Sequence, residues 1–185
     1  VFHRWDGERL RAVVPRRPGQ AAVGGWGWGQ IDVQDREGRW WLATSDGVLR
    51  FPPVSRLEEL ARVGLEARLD QRSGLPGRDV FRVWEDRSGD MWISTIDASA
   101  TGQLGLWSRS TGTARAFGEN DGLPPRATPS AFAQTADGTL WIGCYDGHLV
   151  RRRGERFEAL PDFPGAAQGQ IPALLLDRHG RMWVG

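Results

Sequence analysis

Apolar residues are concentrated in four short stretches of this sequence, and similar turn residues precede each one. The stretches are residues 40–44, 91–95, 140–144 and 182–185. Each contains a tryptophan at the same place, and these tryptophans, Trp41, Trp92, Trp141 and Trp183, are 51, 49 and 42 residues apart. A repeat of this length is typical of supersecondary units that stack on one another. The fold is therefore predicted from the repeat.

The third repeat has the fewest insertions and indicates how one unit is built. Extended runs are predicted at residues 130–134, 139–144, 148–152 and 156–160. Turn residues separate these runs at Gly138, at Asp146 with Gly147, and at Gly154. Aspartate favours turn geometry, and glycine supplies the positive φ that closes a short hairpin. Four short antiparallel strands in about 45 residues are typical of one propeller blade.

The second run of each repeat has apolar residues at consecutive positions, as in Trp41, Leu42 and Ala43. A strand with one face in water would instead alternate apolar and polar residues. Each sheet is therefore predicted to pack between two neighbouring sheets. We expect an all-β fold, a β-propeller of about four blades with four antiparallel strands each. Residues 1–185 would form a partial arc of a larger, seven-bladed propeller, with both ends inside a blade.

The connections after the second strand and between blades vary in length, and both kinds lie on one face of a propeller. Variable loops on a regular scaffold commonly carry recognition. The ligand-binding candidates are Trp26 and Trp28 between glycines, Asp97 in an insertion after Thr95, and Tyr145. The two tryptophans either stack on a sugar or aromatic ligand, or seal the mouth of the propeller.

A second insertion, residues 55–64, predicts a short helix on the opposite face. Ser55 and Glu58 have the spacing of a capping box, and Gly64 can end the helix. Leu57, Leu60 and Ala61 form a narrow apolar stripe. We interpret the insertion as a cover for the ends of the sheet, in preference to a helix that docks a partner.

The recurring aspartates could be mistaken for paired catalytic carboxylates, but their repetition at one turn position predicts bonds to the turn backbone. The tryptophans are predicted to fill equivalent gaps between blades, and Trp84 and Trp107 also to pack. The residues assigned to structure are Asp35, Gly38, Trp41, Asp86, Gly89, Trp92, Asp137, Gly138, Trp141, Asp177, Gly180 and Trp183.

Composition and charge argue against several classes of function. The 24 basic and 23 acidic residues leave a net charge of +1, which gives no general attraction to nucleic acid or membrane. No apolar stretch approaches the roughly 20 residues of a membrane span. The single cysteine, Cys144, excludes an internal disulfide, and the three histidines lack metal-ligand spacing. No catalytic residue, metal or cofactor is predicted.

The repeat resembles the two-component-regulator propeller repeat. That pattern is Gly-Leu-Pro, an apolar strand, Asp-x-x-Gly-x-[Leu/Met]-Trp-[Ile/Val]-Gly-Thr and Asp-Gly-Leu, and residues 74–95 and 122–147 match it best. The resemblance covers nearly the whole chain. It departs at Ala43, Ser94 and Cys144 and at the insertion after Thr95.

The resemblance implies a periplasmic sensor domain of a bacterial inner-membrane receptor, with a kinase, cyclase or DNA-binding output outside this segment. It implies a small-molecule or oligosaccharide ligand. The expected partners are the remaining blades of the same protein and a second copy in a homodimer, with no nucleic acid. Two alternatives remain open: the spacing is also similar to virginiamycin B lyase, a propeller that uses a metal and a histidine, and a scaffold would bind proteins only.

Overall fold

The apolar runs of the sequence form strands, and the polar turns join each strand to the next one in the chain. The computed structural model describes residues 2–17, 29–96, 103–161 and 169–185. These residues form three four-stranded antiparallel sheets and two two-stranded sheets, and hydrogen-bonded strands are always consecutive in the chain. This is the up-and-down order of propeller blades, and the sheets form an open arc. The predicted all-β propeller fold is confirmed.

The strands have the following bounds. An N-terminal hairpin contains β1 (Phe2–Trp5) and β2 (Leu10–Val13). The first blade contains β3 (Asp32–Gln34), β4 (Trp40–Thr44), β5 (Gly47–Phe51) and β6 (Ala67–Leu69). The second contains β7 (Val80–Glu85), β8 (Met91–Thr95), β9 (Leu104–Trp107) and β10 (Ala114–Phe117). The third contains β11 (Pro129–Gln134), β12 (Leu140–Cys144), β13 (Leu149–Arg153) and β14 (Arg156–Ala159). A last pair contains β15 (Leu174–Leu176) and β16 (Met182–Val184).

The second strand of each complete blade is buried on both faces, as its apolar run predicts. In β8, all five residues are buried. Trp41 packs toward the second blade and lies 4.9 Å from Trp107, centroid to centroid. Trp92 packs toward the third blade, beside Phe117 and Phe157. The core is thus a series of layers between blades, and the packing role predicted for Trp84 and Trp107 is confirmed.

The turn between the first and second strands holds a tryptophan through one aspartate. In the first blade, Asp35 Oδ1 accepts the backbone N–H of Glu37 at 3.0 Å and of Arg39 at 2.9 Å. Its other oxygen, Oδ2, accepts the indole Nε1–H of Trp41 at 2.9 Å. Asp86 makes the same bonds to its turn and to Trp92, and Asp177 to its turn and to Trp183. The carboxylate therefore fixes the turn and the ring together. The ring is buried at Trp41 and Trp92, but Trp183 is 55% exposed, so its predicted place in a gap between blades is wrong for the described residues.

The third blade departs from this arrangement, and the expectation of four equivalent aspartates is wrong. Thr135 occupies the position of Asp35, because its N–H bonds to Thr139 O as Asp35 N–H bonds to Arg39 O. Asp137 lies two residues later and accepts from the Thr135 hydroxyl at 2.6 Å and from Thr139 N–H at 3.1 Å. Among the described residues, no carboxylate reaches Trp141, and its buried Nε1 has no hydrogen-bond partner.

Arginines next to these aspartates connect one blade to the following blade. Arg36 bonds through Nε to Glu85 Oε1 at 2.9 Å and through Nη1 to Arg87 O at 2.9 Å. Arg87 makes a longer equivalent bond, 3.4 Å from Nη1 to Ala136 O. The third blade has alanine at this position. The ionic connection between blades therefore weakens along the chain.

Each Gly-Leu-Pro connection leads into a blade and packs against the outermost strand of that blade. A Cβ on Gly122 would lie 2.2 Å from the carbonyl oxygen of Phe157, and φ of Gly122 is +98°. Both facts require glycine there. The following Leu123 is buried in the layer between the second and third blades. Gly74 and Leu75 repeat this arrangement one blade earlier.

The insertion at 55–64 covers the first blade, but its predicted capping is wrong. The helix is a 3₁₀ turn over Leu57–Ala61 with Arg56 at its N-terminus and no side-chain cap. Ser55 instead donates its own N–H to the Glu59 carboxylate at 3.3 Å. Leu60 is fully buried in a cluster with Leu42, Leu49 and Phe51. A short 3₁₀ turn suffices because burial of Leu60, and not capping, holds the segment.

Replacement of Asp86 by alanine should destabilise the protein more than replacement of Asp137. Asp86→Ala leaves the buried Trp92 Nε1–H unpaired and frees two turn N–H groups, so we expect a loss of about 2–3 kcal/mol. Asp137→Ala removes only exposed bonds and should cost less than about 1 kcal/mol. Urea unfolding curves measure both. Equal losses would show that the indole bond contributes nothing.

Variants that remove an arginine bond between blades should lose stability in proportion to the strength of that bond. Arg36→Ala should lower the unfolding free energy more than Arg87→Ala, with each loss on the order of 1 kcal/mol because the groups are partly exposed. Ala136→Arg should raise it by adding a missing connection. Arg178→Ala is the matched control, since the side-chain contact found for Arg178 in the described chain is the adjacent His179. A loss in Arg178→Ala as large as that in Arg36→Ala would contradict this account.

Candidate functional site

Two ends of the blades differ in chemistry. The hairpin end carries the turns at Asp35, Asp86, Thr135 and Asp177. The loop end carries the turns between second and third strands, such as Asp46–Gly47, and the connections between blades. Gly47 N–H bonds to Arg78 O at 2.8 Å, so a turn of the first blade meets the entry of the second at this end. The candidate site lies at the loop end.

Tyr145 lies at the junction of the second and third blades. It directly follows β12, and its N–H donates to Thr128 O at 2.8 Å, which holds the turn against the start of β11. Its side chain meets the Phe81 ring edge-on, with centroids 6.3 Å apart. Tyr145 is 37% exposed, whereas Phe81 is buried. An aromatic ring open to solvent is thus supported from beneath by the neighbouring blade.

Arg82 is a buried cation directly below this pair. Its Nε donates to Ser130 O at 3.0 Å, its Nη1 to Phe81 O at 2.9 Å, and its guanidinium carbon lies 3.8 Å from the Phe81 ring centroid. Burial lowers the pKa of Arg82. A charged group held in an apolar strand is costly unless it is paired, and such groups concentrate at functional sites. Arg82 therefore belongs to the candidate site.

Polar groups of both blades form hydrogen bonds close in the chain to Phe81 and at Thr128, which bonds to Tyr145. Ile96 N–H bonds to Asp79 O at 2.8 Å, and the Thr128 hydroxyl contacts the Gln103 side chain. Further bonds or ring contacts are made by Asp79, Phe81, Arg82, Gln103 and Tyr145. Asp146, next to Tyr145 in the chain, and Thr128, whose carbonyl accepts the Tyr145 N–H, supply polar groups beside the aromatic face. The arrangement can bind a polar ligand that has one flat apolar side.

Gln30 connects three blades near this site. Its backbone O accepts Val83 N–H, and its side-chain amide pairs with Phe132 at 2.9 Å (Nε2 to O) and 3.0 Å (N to Oε1). Gln30 has a φ of +52°, a region that few residues other than glycine adopt. The Gln30 side-chain amide thus makes the same pair of hydrogen bonds to the backbone of Phe132 in β11 that a neighbouring strand would make.

Of the sequence-predicted ligand residues, only Tyr145 lies in the described part of the chain. Trp26, Trp28 and Asp97 lie outside the described residues. Sequence reasoning missed Phe81, Arg82 and Gln30. The signal for Arg82 was present, because a single arginine interrupts the apolar run from Val80 to Val83.

A histidine and an aspartate meet in the same turn as Tyr145. His148 Nδ1 lies 2.9 Å from Asp146 Oδ2, and both side chains are partly exposed. Cys144, just before this turn, is buried, and burial raises the pKa of its thiol. Within the described ranges, His, Cys, Asp and Glu side chains nowhere gather in threes as a metal site would need. The described helical turns include none that is long and apolar enough to cross a membrane.

Bacterial receptor domains are among the solved structures with a similar fold. The extracellular domain assigned to the hybrid two-component system BT3049 of B. thetaiotaomicron superimposes with a TM-score of 0.63 and 19% identity, covering 84% of this chain and 20% of that one. The extracellular domain assigned to the one-component system BT4673 of the same organism gives 0.61 and 18%, with coverages of 83% and 20%. The chain has the propeller fold of these receptor domains. It spans about a fifth of their length.

A propeller enzyme has a similar fold. Inactive virginiamycin B lyase from Staphylococcus aureus, bound to quinupristin, gives a TM-score of 0.61 at 14% identity and covers 92% of this chain and 50% of that one. A scan against models of protein families found no match, and a search of curated protein sequences found none either. At identities this low, the structural similarity establishes the fold alone.

Proposed function

We propose that this chain is part of an extracytoplasmic propeller that senses a ligand for a bacterial signalling receptor, and that the ligand is an oligosaccharide. The observation that carries the proposal is the exposed Tyr145 ring, which rests on Phe81 of the adjacent blade at the loop end. The shared fold with extracellular receptor domains supports the receptor context and a periplasmic location.

The mechanism follows from the position of Tyr145 between two blades. A sugar ring has one apolar face that stacks on an aromatic side chain and hydroxyl groups that bond to polar neighbours. A ligand on Tyr145 would contact the third blade directly and act on the second through Phe81, on which the Tyr145 ring rests. Binding would then favour one relative position of the blades, since a ligand shifts an equilibrium by its difference in affinity for two states. The remaining blades, or a second copy in a homodimer, would pass the change on.

Oligosaccharides should raise the melting temperature of the protein through Tyr145. At 100 times its dissociation constant, a ligand adds about 2.7 kcal/mol, which is roughly 5–10 °C for a chain of this size. Tyr145→Ala should abolish the shift, and Tyr145→Phe should retain part of it because stacking survives. Thermal-shift screening of an oligosaccharide panel measures this effect.

Two results would contradict the sensor proposal. A shift that is the same in Tyr145→Ala would place the ligand elsewhere. If no sugar shifts the protein while Trp26→Ala or Trp28→Ala alters the capture of protein partners, the scaffold function is favoured instead.

The pairing of His148 with Asp146 gives the lyase alternative a specific residue to test. An aspartate can orient a histidine as a general base, and this pair lies beside Tyr145. If the chain is a sensor, quinupristin incubated with Mg²⁺ and the protein should remain cyclic by mass spectrometry. Linear product that disappears in His148→Ala, but not in the exposed-residue control His179→Ala, would instead establish the lyase function.

A further inference from the structure

A cavity opens at the loop end, at the junction of the first and second blades. It has a volume of about 390 Å³, within the size range of small-molecule sites. Its lining residues are Asp46, Arg68, Asp70, Gln71, Arg72 and Arg78. Three guanidinium groups therefore face two carboxylates, and the cavity carries an excess positive charge.

Both carboxylates in the cavity already have hydrogen-bond or ion-pair partners. Asp46 contacts Arg68 and bonds through Oδ1 to Arg78 Nη2 at 3.2 Å. Burial opposes ionisation of Asp46, but the Arg68 and Arg78 guanidinium groups hold its pKa below the usual value. Asp70 Oδ1 accepts the backbone N–H of Arg72 at 2.8 Å. Neither carboxylate is left to neutralise a further cation.

The Arg72 and Arg78 side chains supply the unused donors. Arg72 is exposed, and within the described chain its guanidinium makes no hydrogen bond or ion pair. Arg78 is 65% exposed, and toward the residues that the structure describes its guanidinium bonds through Nη2, to Asp46. By contrast, Arg36 and Arg109 at the hairpin end are saturated by carboxylates and carbonyls. Free donors around a small cavity indicate a site for an anion.

We infer that this cavity binds the carboxylate of an acidic sugar, through the guanidinium groups of Arg72 and Arg78. The planar fork of arginine matches the two oxygens of a carboxylate. The inference rests on the proposed function, because the cavity shares the loop end with Tyr145. It narrows the ligand class from oligosaccharides in general to those that contain uronic acid.

Calorimetric titration with a matched pair of sugars tests this inference. The probes are trigalacturonic acid and its fully methyl-esterified form, which differ in the charge of the carboxyl groups. The acid should bind at least about tenfold more tightly, because a charge-assisted hydrogen bond exceeds a neutral one. The double variant Arg72→Gln with Arg78→Gln should remove that preference and leave binding of the ester unchanged. Added salt should also reduce the preference.

Arg153→Gln is the control, since it removes the same kind of exposed charge at the far end of β13. It should retain the preference for the acid. Equal binding of acid and ester by the unaltered protein would overturn the inference and leave oligosaccharide sensing intact. Binding of neither form would also overturn it, whereas the sensor proposal would still stand if a neutral sugar raises the melting temperature through Tyr145. A preference unchanged in the double variant would place the acidic group elsewhere.

Discussion

A carboxylate bonded at once to a turn and to an indole is the interaction on which the first and second blades and the last strand pair depend. Asp35, Asp86 and Asp177 each close a hairpin and fix the direction of a tryptophan six residues later. The aspartate supplies an acceptor for the indole N–H from within the same hairpin, whereas Trp141 in the third blade has none among the described residues. The large ring can therefore fill the gap between blades, and the flat layers of apolar side chains stack around it.

The blades hold together by different means at their two ends. At the hairpin end, arginines and glutamates form a dense ionic network, in which Arg109 contacts both Asp35 and Glu85. At the loop end, glycine and leucine of the Gly-Leu-Pro connection supply close packing, and polar side chains remain to meet solvent. Because the ionic network between blades lies at the hairpin end, the residues at the loop end can vary with less cost to stability. The two proposed ligand contacts, at Tyr145 and at Arg72, both lie at that freer end.

Period and burial patterns predicted the fold well because they depend on interactions that recur in each repeat. The strands of the third blade agree with prediction to within one residue, and both faces of β4, β8 and β12 are buried. The candidate site was much less predictable. Tyr145 could be placed on a loop, but its contact with Phe81 joins residues 64 positions apart in different blades. Asp137 was misassigned because a glycine follows it directly. The spacing to Gly138 and Trp141 already matches Thr135, and the hydrogen bonds identify Thr135 as the equivalent residue.

The self-contained hairpin has a consequence for how such a protein changes over generations. Every side-chain bond of Asp86 found here remains within residues 86–92, so a duplicated copy of this segment would carry these supports into a new position. The arginine that follows it is different, because Arg87 bonds to the next blade and is useful only beside a suitable neighbour. Gene duplication can therefore add blades readily, whereas the affinity between adjacent blades must be refined afterwards, one junction at a time.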